Sequence, residues 1–172
     1  MILGMSLSAF TTVHVIISLI GIVSGLFALY GMLQGKTMGG WTALFLLTAV
    51  LTSATGFLFP FTSLLPSHKV AIISLVVLAI ALVALYGVHL SGAWRWIYVT
   101  AVVAFYLNCF VGVVQAFQKI AFPKPLAPTQ SEPRFLITQL ALLAIFIVLG
   151  FLAIRRFHPA PAAAQLGHGP PR

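Results

Sequence analysis

The spacing of charges constrains this chain more than any other feature. No Lys, Arg, Asp or Glu occurs over residues 1–35, 37–68, 70–94, 96–118 or 135–154. A helix rises about 1.5 Å per residue and the hydrocarbon of a bilayer is about 30 Å thick, so about 20 apolar residues suffice to cross it. Each of these runs is long enough. They predict an all-α polytopic membrane protein, a bundle of five transmembrane helices over about 8–33, 41–61, 70–90, 96–117 and 135–154.

Val- and Ile-rich runs such as "VAIISLVVLAIALVALYGVHL" would suit strands in water. In lipid the backbone must satisfy its own hydrogen bonds, and a barrel strand needs apolar/polar alternation that these runs lack. Hydrophobic residues make up 61% of the chain, charged residues 6%, and mean hydropathy is +1.13, far from a soluble domain. The first run is too long for a signal-peptide core and has no basic residues before it, so it is expected to remain as a span. The helices are expected to form one domain over 1–157. The stretch 158–172, rich in Pro, Ala and Gly, has the composition of a disordered tail.

Nine Lys and Arg against a single acid give a formal charge of +8. Nucleic acid is not the expected partner, because these cations stand singly or in pairs beside apolar spans, as membrane-flanking residues do. The bilayer is the expected partner, with a homo-oligomer or a partner membrane subunit also open. Lys36 follows the first span and Arg155–Arg156 follow the last, which by the positive-inside rule places the C-terminus in the cytoplasm and the N-terminus outside. Trp41, Trp94, Trp96 and Tyr98 fall at span ends, where amphipathic rings prefer the interface. Cys109, the sole thiol, has no partner for a disulfide and is expected to be a packing residue.

Within a span each polar side chain needs a partner, so polar residues turn towards protein or water. His14, Ser18, Gly21 and Gly25 follow i, i+4, i+7, i+11 and share a face of the first span. Thr48, Thr52 and Thr55 line the second span at the same spacing, and Asn108, Gly112, Gln115 and Lys119 line the fourth. In a five-span topology His14, Thr52, Thr55, His68, Ser74, Gln115, Thr138 and Gln139 all fall in the leaflet on the N-terminal side. Candidate ligand-binding residues are therefore His14, Thr52, Thr55, His68, Asn108, Gln115, Glu132 and Gln139. Two readings stand: hydrogen bonds that tie the helices together, or a cavity open to the N-terminal side with His14 and His68 as ligands or proton-handling groups. In the second, the two imidazoles are the candidate metal ligands, for haem b or copper.

Glu132, the only acid, lies in the proline-rich "LAPTQSEP" segment (126–133) before the last span. Either it sits in the first turn of that helix with Ser131 as N-cap, or its loop folds back as a lid over His14 or His68. A single carboxylate excludes paired-carboxylate hydrolysis, carboxylate-rich Mg²⁺ or Ca²⁺ sites and chains of buried acids. The sequence holds no phosphate-binding glycine loop, G-x-S-x-G, H-E-x-x-H or C-x-x-C.

At "GFLFPF" (56–61), "LPSHK" (65–69), "AWRWIY" (93–98) and "LAPTQSEP" the chain resembles a family of small bacterial inner-membrane proteins of unknown function. The resemblance covers the second to fifth spans. It implies a bacterial inner membrane and carries over no catalytic residue. The expectation is a non-enzymatic accessory or small-ligand-binding membrane protein. A haem b or quinone-binding electron-transfer subunit and a small-solute transporter or channel are the alternatives.

Overall fold

The computed structural model describes residues 2–60, 66–127, 129 and 131–158. Helices α1 (Leu7–Leu33), α2 (Gly39–Gly56), α3 (Pro66–Leu82), α4 (Trp94–Tyr98), α5 (Ala101–Lys119) and α6 (Pro133–Arg156) follow one another along the chain. Five helical stretches are long and apolar enough to cross a membrane, with α4 and α5 together forming the fourth. Among the described residues the remaining regular features are short: an isolated bridge between Ile2 and Met5, a π turn over Val83–Gly87 and a 3₁₀ turn over Lys124–Leu126.

The ends of the spans show local chemistry that hydropathy does not register. Ser6 caps α1, its Oγ accepting from Ala9 N–H at 3.2 Å. The other end of α1 closes as a Schellman motif: Gly35 N–H donates to Met32 O and Lys36 N–H to Gly31 O, with Gly35 at φ +72°. The second span stops at Gly56, short of 61, and residues 61–65 lie outside those described. The third begins at Pro66 and ends at Gly87 instead of reaching 90. There the helix widens, with Val88 N–H reaching Val83 O, and His89 and Leu90 take left-handed φ of 51° and 57°. The fourth span tightens at Val99–Thr100, where Val102 N–H reaches Val99 O and Val103 N–H reaches Thr100 O in i→i+3 bonds. The fifth extends to both sides of its expected limits, over Pro133–Arg156. His158, assigned by composition to the tail, packs edge-on against Trp96 at 5.3 Å; residues 159–172 lie outside those described.

The long helices run alternately up and down, and α5 is the hub, touching α1, α2, α3 and α6. Its Ala101, Ala104 and Phe105 are buried, and Phe105 packs edge-on against Phe45 of α2 (5.7 Å) and Phe146 of α6 (5.1 Å). Small residues let the helices approach closely, as expected where lipid supplies no hydrophobic drive between them. A Cβ on Gly25 would lie 2.6 Å from the Phe105 ring, and one on Gly21 would lie 2.9 Å from Asn108 Nδ2 and 3.2 Å from Thr48 Oγ1. Helix α6 is the least covered by its own chain, and Ile137, Leu140, Ile147, Val148 and Phe151 face outward.

Candidate functional site

The polar stripes of α1, α2 and α5 meet in antiparallel register. His14 pairs with Thr55, Ser18 with Thr52, and Gly21 with Thr48 on one side and Asn108 on the other. Continuing the register from Gly25–Phe105 and Gly21–Asn108 brings Gln115 of α5 to the depth of His14 and Lys119 one turn further out, level with Phe10.

The hydrogen bonds around His14 favour one tautomer, the one in which the Thr55 hydroxyl proton stays directed at Leu51 O. His14 Nδ1 is 2.8 Å from Thr55 Oγ1, and the Thr55 hydroxyl donates to Leu51 O at 2.6 Å. Thr55 has one proton to give, so its oxygen accepts from Nδ1–H. The neutral imidazole therefore carries its proton on Nδ1 and presents Nε2 as an acceptor. Ser18 Oγ donates to His14 O at 2.8 Å, which holds the α1 backbone at this turn, and lies 3.4 Å from Thr52 Oγ1. Phe59, just past α2, stands edge-on to the His14 ring at 5.2 Å and to Phe10 at 5.0 Å. The half-buried imidazole thus has a threonine along its Nδ1 edge and a phenylalanine against its ring.

The other candidate residues are distributed around this centre. Asn108 is half-buried, and its Nδ2 is enclosed without a hydrogen-bond partner. Gln115 is half-buried on α5. Gln139 of α6 donates from Nε2 to Phe110 O at 3.3 Å, which ties α6 to α5, while its Oε1 is enclosed and unpaired. His68 is buried and stacks on Phe57 at 5.5 Å. Thr55 and Phe57 stand about 200° apart around the α2 axis, so the two imidazoles approach the end of α2 from different sides. Among the described residues no three His, Cys, Asp or Glu side chains converge.

Glu132 itself is the N-cap residue of α6, in place of Ser131, and its side chain makes no cap bond. Pro133 at the first helical position has no N–H to offer. The carboxylate instead accepts from Thr129 N–H at 3.0 Å and Thr129 Oγ1–H at 2.8 Å, within its own loop and not against either imidazole. The Thr129 backbone bond is the main cause holding this carboxyl below the usual range; desolvation opposes it, and the Thr129 hydroxyl and the local backbone N–H groups lower it further.

No protein-family model, curated protein or solved structure matches the chain. Three parts of the site had no signal in the polar stripes. Phe10 precedes His14 by four residues and so shares its face, which the sequence does contain. Phe59 reaches His14 only because the chain turns after Gly56. Ser53 and Ser74, buried and 3.2 Å apart, link α2 to α3 on a face that the threonine stripe does not mark.

Proposed function

We propose that this chain is a non-catalytic, multi-pass protein of a bacterial inner membrane, N-terminus outside, that binds a small ligand through the cluster around His14. The observation that carries the reading is the committed hydroxyl of Thr55, which leaves His14 Nε2 as an acceptor on a half-buried ring. A ligand with a hydroxyl or N–H donor matches that atom. Thr52 and Gln115 are the neighbouring polar groups at similar depth, and the unpaired Asn108 amide is the next donor inward. Asymmetry between the two leaflets supports binding over conduction: at the depth of Ala28, Met32, Phe45 and Leu46 the described helix interfaces are closed by buried apolar side chains.

The test is purification in mild detergent without lipid stripping. Absorption spectra, oxidised and reduced, and mass spectrometry of an organic extract are compared with those of His14→Ala. A stoichiometric species carried by the wild type and lost in the variant supports the reading, and identical extracts and spectra from both proteins overturn it.

A redox subunit is the second reading, favoured by one feature. An imidazole whose Nδ1–H is held by an oxygen presents Nε2 as ligating histidines do. His14 and His68 are the side chains that would hold haem b or copper, and His14 alone would bond to a quinone. A Soret band abolished separately by His14→Ala and by His68→Ala distinguishes haem from the uncoloured ligands.

A further inference from the structure

At the end of the bundle opposite His14, three helix ends converge. The Schellman turn of α1 puts Gly35 against the end of α6, where a Cβ on Gly35 would lie 3.2 Å from Arg156 O and 3.9 Å from His158 N. Both the left-handed φ and this approach require glycine there. Beyond α6 the chain tucks inward: Phe157 is fully buried against Tyr98 at 5.4 Å, and His158 stands against Trp96. Arg95 lies over the Trp96 ring at 4.8 Å. These contacts gather Lys36, Arg95, Arg156 and His158 into one patch drawn from the α1–α2 loop, α4 and the end of α6.

The patch has no acidic side chain to balance it, since Glu132, the only Asp or Glu in the sequence, lies at the other end of the bundle. The C-termini of α1 and α6 contribute about half a negative charge each. That leaves roughly two positive charges uncompensated against Lys36, Arg95 and Arg156. Arg95 Nε is enclosed without a hydrogen-bond partner. A guanidinium stacked on a ring uses its face and keeps its N–H edge for an anion, the geometry that matches phosphate. Arg155 does the same beside the patch, stacking at 4.3 Å on Phe151, which is exposed on the lipid-facing side of α6 together with Ile147 and Ile154.

We propose that this patch is a binding site for an anionic glycerophospholipid. The headgroup phosphodiester is held by Lys36, Arg95 and Arg156, and an acyl chain lies along Leu152, Val148 and Ile145, the apolar residues on the Arg156 face of α6. The apolar strip that continues from the cations is what selects a lipid over a free phosphate. Such basic pockets at helix ends are a recurrent means of holding acidic headgroups.

Native mass spectrometry of the full chain in detergent tests this, with dioleoylphosphatidylglycerol, dioleoylphosphatidylcholine or inorganic phosphate added. The wild type is expected to retain phosphatidylglycerol in preference to phosphatidylcholine. Apparent affinity should fall about fivefold for each cation removed in Lys36→Gln, Arg156→Gln and their double variant, both positions being exposed. Arg95→Gln extends the series, and a variant that unfolds is replaced by Arg95→Lys, which keeps the charge and loses the stacked fork. Lys119→Gln/Lys124→Gln, at the opposite end, should retain the lipid as the wild type does. Equal loss in the Lys119/Lys124 variant, no loss in Lys36→Gln/Arg156→Gln, or displacement of the lipid by equimolar inorganic phosphate would each overturn the proposal.

Discussion

A Gly25→Ala substitution would place its Cβ 2.6 and 2.7 Å from Cδ2 and Cε2 of Phe105 and 3.1 Å from Cγ. Carbon atoms rest about 3.5–4.0 Å apart, so the ring or the helix must yield by about 1 Å. The ring cannot turn aside freely, because Phe45 and Phe146 meet it edge-on and it is only 2% exposed. Overpacking of this kind costs about 1–3 kcal/mol, and the confinement of Phe105 places it near the upper figure. Alanine's better helix propensity returns about 1 kcal/mol, for a net loss of about 2 kcal/mol. At this chain length that corresponds to a fall of about 4–8 °C in Tm. Cys109, the sole thiol and half-buried in α5, supplies the assay: a thiol-reactive fluorogenic dye reports its exposure as the bundle melts in detergent. Gly150→Ala is the control, since its Cβ would meet open space, and it should melt at or slightly above the wild type. Phe105→Leu in the Gly25→Ala background should recover part of the loss. A Gly25→Ala protein as stable as the wild type, or a Gly150→Ala protein equally damaged, would refute the close approach of α1 and α5.

Gly21→Ala should lower Tm less than Gly25→Ala in the same assay, because its nearest neighbour is the movable end of the Asn108 amide. Thr55→Val should cost about 0.6 kcal/mol, the usual worth of an interhelical hydrogen bond in a membrane, and ¹⁵N-histidine NMR should show the His14 proton no longer fixed on Nδ1. Ser53→Ala and Ser74→Ala each leave a buried hydroxyl without its partner, so their combined loss in Tm should be smaller than the sum of the single losses. Glu132 has a folded-state pKa below its unfolded value, so its stabilisation is complete above the unfolded pKa and disappears as pH falls through the folded one. The stability gap between wild type and Glu132→Gln should accordingly be present at neutral pH and close on acidification below the ordinary carboxylate range; a gap that widens in acid would contradict the Thr129 contacts.

The division between what could be read along the chain and what could not follows the range of the forces involved. Charge-free runs of about 20 residues determined the number of spans and the helical class, because the bilayer penalises unsatisfied backbone whatever the side chains do. The i, i+4, i+7 stripes of α1, α2 and α5 were visible because a helix has a fixed pitch, and the folded bundle sets His14 beside Thr55 and Gly21 beside Asn108. Span ends were less legible: the π turn at Val83–Gly87, the tightening at Val99–Thr100 and Glu132 as the cap of α6 depend on individual backbone hydrogen bonds that hydropathy does not register. Contacts between residues distant in sequence had no local signal at all. Phe59 against His14, Ser53 against Ser74, and Lys36, Arg95 and Arg156 gathered at one end of the bundle arise only when the helices choose their neighbours. The sequence by itself determined a five-span helical membrane protein with polar faces on three of its helices, since lipid and helix pitch act on each segment alone. Only the tertiary structure decided which side chains meet, because that choice rests on close packing at Gly21, Gly25 and Gly35, where the absence of a Cβ lets one particular neighbour approach.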